Sequence, residues 1–241
     1  TRLEQGRGPT PSDQVLGALA RALRLTDDER AELFHLAGSA PPRPGRIDGV
    51  VRAATQRLMD RLTDLPAMVL DAKSDVLAWN ALATALLGDF SAWPPPTRNI
   101  VWRRFLGGGG RVAQGPEEEA RTAAESVGDL RAVAARYPDD PGLRRLLADL
   151  RAGSPEFTRL WDQARTAERR SSTKTVEHPD LGPITLECDV LLLPDTDQRL
   201  VVYSAAPGTP AAEALAVLRV VGLQDLGRTP LGPGDRPVSA R

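Results

Sequence analysis

Met68-Val69-Leu70-Asp71-Ala72-Lys73-Ser74-Asp75-Val76-Leu77-Ala78-Trp79-Asn80 is the stretch that decides the fold. Upstream of it every apolar pattern has helical spacing; from Ala67 the period drops to two. Two β-prone runs, Met68 to Asp71 and Val76 to Asn80, bracket four turn-forming residues, and the stretch reads as a β-hairpin. A short helix comes next, carrying Leu82, Ala85, Leu86 and Leu87 and closed by Gly88. Pro94-Pro95-Pro96 breaks it, Asn99 to Leu106 returns to helix, and Gly107 to Gly110 is a flexible gap.

Further outward, Glu117 to Arg136 reads as a long helix, acidic at its start and basic at its end, as the helix dipole favours. Gly128 weakens it internally. Two more helices succeed it, one bearing Leu143, Leu146, Leu147 and Leu150, the other opened by Ser154-Pro155-Glu156 with Phe157, Leu160 and Trp161 on its apolar side. Three strands come next: Lys174 to His178, the mostly apolar Ile184 to Leu193, and Leu200 to Ser204. A last helix runs through Leu215 and Leu218. The order of hairpin, helices and antiparallel strands predicts an α+β domain of PAS type, with a five-stranded antiparallel sheet and helices inserted on one side.

Before the hairpin, Gly49 to Leu65 reads as a helix with Val50, Ala53, Ala54, Leu58 and Leu62 on one side, packed on the domain downstream of it or on a second subunit. Ser39-Ala40-Pro41-Pro42-Arg43-Pro44-Gly45 is a linker, because prolines deny helix continuation. The first 38 residues read as an all-α piece. Gly6 ends one helix between Arg2 and Arg7; Thr10-Pro11-Ser12-Asp13 opens a second, with Thr10 as N-cap and Val15, Leu16, Leu19, Ala20 and Leu23 on one face. A third runs from a Thr26/Glu29 capping box, with Leu33, Phe34 and Leu36, to Gly38. The tail from residue 226 is Gly- and Pro-rich and reads as disordered.

Composition removes several classes. The formal net charge of −1 provides no global basic field toward nucleic acid or an anionic membrane. The single Cys188 cannot form an internal disulfide and suits a reducing cytoplasm. No apolar run approaches the roughly 18 residues of a membrane span. Enzyme chemistry has little to stand on: the two histidines, His35 and His178, fall in separate segments, there is no G-x-S-x-G elbow, and the four-glycine run lacks a G-K-[ST] ending. No enzyme and no cofactor are expected.

Leu3-Glu4-Gln5-Gly6-Arg7, Pro11-Ser12 and Leu16-Gly17-Ala18-Leu19-Ala20-Arg21-Ala22-Leu23 resemble the C-terminal part of the XRE/Cro-like helix-turn-helix family. The resemblance implies an N-terminally truncated DNA-binding head over residues 1–38, with Arg2, Gln5 and Arg7 left to touch double-stranded DNA, chiefly its phosphates. Leu77-Ala78-Trp79-Asn80, Asn99 with Phe105, Asp129-Leu130-Arg131, Ser154-Pro155-Glu156-Phe157 with Trp161, His178-Pro179 with Gly182, and Val201-Val202-Tyr203 before Pro207-Gly208-Thr209-Pro210 occur in order. As a set they resemble the ligand-binding domain of the MmyB-like transcription regulators, found largely in actinomycetes. That resemblance implies a linker at 39–48, a PAS-like ligand-binding domain at 49–225, a tail at 226–241, and a cytoplasmic homodimer on DNA. It implies a small apolar ligand of the long-chain fatty-acid kind.

Four polar residues are candidate anchors for such a ligand: Arg131, Asn80, Asn99 and Tyr203. An Arg guanidinium grips a carboxylate in bidentate fashion. Arg131 also reads as a solvated helix charge, and Asn80 equally as a strand-to-helix cap. Trp79, Phe105, Phe157 and Trp161 are candidate apolar contacts that also suit a plain core. With few aromatics to fill the space under several helices (four Phe, two Tyr, four Trp), an internal cavity is expected. Two departures from the family pattern stand out: Ala164 where relatives often carry His, and the Gly107 to Gly110 run where they carry Pro and aromatics. The rival reading is a ligand-free module that dimerises or contacts the transcription machinery.

Overall fold

The computed structural model describes residues 11–25, 27–39, 45–163, 172–193 and 196–226. Arg2, Gln5, Arg7, the Thr10 cap, Thr26, Ala164 and the tail beyond 226 lie outside them. Two helices come first, α1 (Asp13–Ala22) and α2 (Asp27–Leu36). Ser12, not Thr10, occupies the N-cap of α1, and its side chain makes no capping bond. Leu16, Ala20 and Phe34 are buried, whereas Val15, Leu23 and Leu36 are exposed. The stripe turned inward is therefore narrower than the one expected.

The helix expected over 49–65 is shorter. It is α3 (Ala53–Arg61), and its inward residue is Met59, 1% exposed, while Leu58 is 49% exposed and Val50 73%. Adjacent apolar residues about 100° apart on a helix give two possible phases, and the outer face of the sheet selects Met59. Met59 packs there with Ala67, Val69 and Leu200.

The hairpin is present as β1 (Ala67–Leu70) and β2 (Val76–Trp79), followed by α4 (Ala81–Leu87), two short 3₁₀ turns at Phe90–Ala92 and Pro95–Thr97, and α5 (Ile100–Leu106). Next come β3 (Val112–Ala113), α6 (Pro116–Arg136), α7 (Pro141–Gly153) and α8 (Pro155–Asp162). The chain closes with β4 (Ser172–His178), β5 (Gly182–Leu193), β6 (Gln198–Ser204) and α9 (Pro210–Leu226). The strands form one antiparallel sheet in the order β2-β1-β6-β5-β4-β3. It has six strands rather than five. The extra one, β3, is two residues long, too short to display a period, and exists by pairing Val112 with Val176 and Ala113 with Thr175.

Helices are not confined to one side. α3 covers the outer face at Val69 and Leu200, while Met68, Leu70, Val201 and Tyr203 join the opposite face, where α4 and α9 pack. That alternation follows from the period of two, and explains why every residue of β1 is buried. Behind this layer a second cluster joins α5, α6, α7 and α8 through Val101, Leu130, Leu150 and Phe157.

Candidate functional site

A cavity of about 350 Å³ lies between the inner sheet face and α4, α5 and α6. Its floor is apolar: Met68 and Leu70 of β1, Val201 and Tyr203 of β6, and Cys188 and Val190 of β5. Leu87, Phe90, Trp93 and Ile100 continue the apolar wall. Phe90 is wedged between Trp79 (ring centroids 5.3 Å apart) and Trp93 (4.9 Å, edge-on), which fixes the wall's shape.

The rest of the lining is polar, and half of its side chains are cationic. Arg103, Arg104, Arg111 and Lys174 line the cavity against the carboxylates Glu119 and Glu125. Gly108, Gly109 and Gly110 also line it, and Gly108 and Gly110 are exposed, so the cavity reaches solvent at the glycine loop. Gly108 and Gly109 sit at φ of 73° and 80°, which explains why glycine occupies both positions.

The four cations differ in what holds them. Arg103 lays its guanidinium 3.7 Å from the Trp93 ring centre and donates from Nη2 to the Gly109 carbonyl at 3.4 Å. Its Nε is buried without a hydrogen-bond partner. Arg104 donates to Gln114 Oε1 at 3.1 Å, and Gln114 in turn donates to Thr122 Oγ1 at 2.9 Å. Lys174 donates to Glu118 at 2.8 Å, and that hydrogen bond holds the Glu118 carboxyl below its ordinary pKa. Arg111 serves the frame: its Nη1 donates to the Ala85 and Leu86 carbonyls at the end of α4.

His178 fastens the same helix end. Its Nδ1 accepts from the Asp180 and Leu181 amides, so the ring proton sits on Nε2 and is donated to the Ala85 carbonyl at 3.1 Å. It ties the β4–β5 turn to α4.

Of the eight ligand candidates read from the sequence, Tyr203 lines this cavity. Phe105, Arg131, Phe157 and Trp161 come together elsewhere, in the helical cluster behind it. Phe105 and Phe157 meet edge-on at 5.3 Å, Phe157 and Trp161 lie 5.6 Å apart, and the Arg131 guanidinium sits 5.4 Å from the Trp161 ring centre and bonds its carbonyl. Trp79 backs the cavity wall through Phe90.

The two asparagines spend their amides on the backbone and, for Asn99, on the Asp75 carboxylate as well. Asn80 caps α4 through the Ala83 amide, accepts from Ala67, and donates to the Leu62 and Leu65 carbonyls. Asn99 caps α5 through the Trp102 amide and donates to the Lys73 carbonyl and Asp75.

The cationic lining was missed from the sequence, although Arg103-Arg104 within the apolar helix Ile100–Leu106 was a visible signal. Among the described residues no cluster of His, Cys, Asp or Glu could hold a metal ion, and no helix is long and apolar enough to cross a membrane. The arrangement offers an apolar slot with guanidinium groups in its lining, which suits holding an amphipathic anion. A search of curated proteins finds no match. The family model of the MmyB-like transcription regulator ligand binding domain matches residues 51–218, most of the chain, and the protein therefore belongs to that family.

Proposed function

We propose that the domain is the sensor of a DNA-binding transcription regulator and takes a long-chain fatty acid, tail against the β1–β6–β5 floor and carboxylate toward Arg103 and Arg104. The observation that carries the reading is the mixed lining of the cavity, apolar over β1, β6 and β5 and basic at Arg103, Arg104, Arg111 and Lys174. Each buried methylene contributes about 0.8 kcal/mol, so a twelve-methylene tail supplies on the order of 10 kcal/mol. A charge-assisted hydrogen bond to the head adds about 1.5–3 kcal/mol. The tail sets affinity and the arginines set orientation.

Arg131, one of the four candidate anchors read from the sequence, is engaged by Trp161 away from this cavity, so the proposal gives the anchoring role to Arg103. The rest of the proposal keeps a helix-turn-helix head contacting double-stranded DNA through Arg2, Gln5 and Arg7, in a homodimer where linker placement sets the spacing of two heads. The family is one of regulator domains, not of enzymes, and the proposal includes no catalysis.

Native mass spectrometry of the purified protein tests the ligand. A retained acyl mass, or uptake of added tetradecanoate at one per chain, supports the sensor. A protein that stays empty supports the ligand-free interaction module instead. Gel shifts on DNA selected by the protein from a random pool test the coupling, and a dissociation constant indifferent to tetradecanoate would refute it.

A further inference from the structure

Ile47, Asp48 and Val50 precede the segment that the family match covers, yet they are fastened to it. The Ile47 amide donates to Asp140 Oδ2 at 3.0 Å, while the other oxygen of Asp140 caps α7 through the Leu143 amide at 2.7 Å. Gln198, 1% exposed, donates from Nε2 to the carbonyls of Asp48 at 3.3 Å and Val50 at 2.9 Å. Ile47 packs against the helical cluster, and Val51 against the outer sheet face. A buried primary amide left unmatched is costly, so a side chain that spends its donors on a linker 148 residues away is a built attachment.

The attachment adjoins the end of α6. Asp197, beside Gln198, pairs with Arg136 at 2.8 Å and accepts from the Tyr137 hydroxyl. The opposite end of the same helix lines the cavity with Glu119, Thr122 and Glu125. Between the two ends, Asp129 takes Arg199 of β6 at 3.4 Å. At about 1.5 Å per residue, the helix spans roughly 25 Å from Glu119 to Arg136.

We propose that Gln198 and Asp140 are positioning residues that clamp residues 47–51 to the far end of α6, so that displacement of α6 by the cavity's occupant is passed to the linker rather than absorbed by it. The driving half rests on the ligand reading above; the clamp itself does not. Rigid helices and hydrogen-bonded junctions of this kind carry coupling between distant sites.

Hydrogen–deuterium exchange on the whole chain tests it, with two variants. Asp140→Asn keeps a good α7 cap but sets an amide nitrogen where the Ile47 N–H needs an acceptor. Gln198→Met keeps the volume and removes both donors. Exchange at 47–51, read at the hydrogen-bonded amides of Ile47 and Val50, should be protected in the parent and accelerate about tenfold or more in either variant, with α7 unchanged. Added tetradecanoate should alter exchange at 47–51 in the parent; in the variants it should bind within about twofold as tightly and leave 47–51 unresponsive. Unprotected 47–51 in the parent, unchanged exchange in both variants, or an intact ligand response in them overturns the clamp. Failure of tetradecanoate to bind the parent overturns the coupling together with the ligand reading, while the ligand-free comparison still decides the clamp.

Discussion

Asp71 is fully buried in the hairpin turn beside Lys73 and Asp75, and accepts from the Asp75 amide at 2.8 Å. Burial pushes its carboxyl from the ordinary 3.8 up to about 6, despite the opposing pull of Lys73. For Lys73 burial disfavours the charge, but Asp71 and Asp75 outweigh it and hold the ammonium above its ordinary pKa. Because Asp71 ionises more readily in the unfolded chain, its contribution to stability is complete below about pH 4 and lost as pH rises through about 6, on the order of 2–3 kcal/mol. Asp71→Asn cannot lose it. Urea titrations across that window should show the variant gaining on the parent as pH rises; a constant difference would contradict the assignment. At the same scale, Asn80→Ala removes a helix cap and three further backbone bonds, and should cost about 2–4 kcal/mol by denaturant titration. Arg103→Met should weaken tetradecanoate binding about 10- to 100-fold by calorimetry, and Arg131→Met should leave it within about twofold. The reverse ranking would return the anchor to Arg131.

At the scale of elements, α3 shows where pattern reading succeeds and where it stops. A helix there was legible, but its phase was not, since Leu58 and Met59 offer equal apolar content and only the sheet behind them decides. Met59→Ala should cost about 2–5 kcal/mol and Leu58→Ala less than about 1, both by denaturant titration. The hairpin, the long α6 and the strands β4 to β6 were legible because each repeats its period several times. β3 was not, being a product of pairing with β4 alone. Caps were readable in kind: Asn80 and Ser154 stand at helix starts and accept the amides expected of them. The polar lining of the cavity showed locally only in Arg103-Arg104, because it assembles from α5, the glycine loop, α6 and β4, and no local spacing announces that meeting. Phe105, Phe157 and Trp161 formed the aromatic cluster their apolar faces imply, in a layer that periodicity cannot assign.

Across the whole molecule, the sheet is shared between two uses. Its outer face seats α3 and the chain entering from residues 47–51, and its inner face floors the cavity. α6 lines the cavity near its start and pairs through Arg136 with Asp197, beside Gln198, at its end; the proposed sensing uses that link between ligand and output. The void fits the expectation that so few aromatics leave the space beneath these helices incompletely filled. Calorimetric titration of tetradecanoate into the delipidated protein tests the central claim most directly, with Val190→Trp, which fills the cavity from β5, beside it. The account predicts one site per chain in the parent, with the negative heat-capacity change of apolar burial, and loss of binding in a folded Val190→Trp variant. Equal binding by parent and variant, or none by the parent, would contradict it.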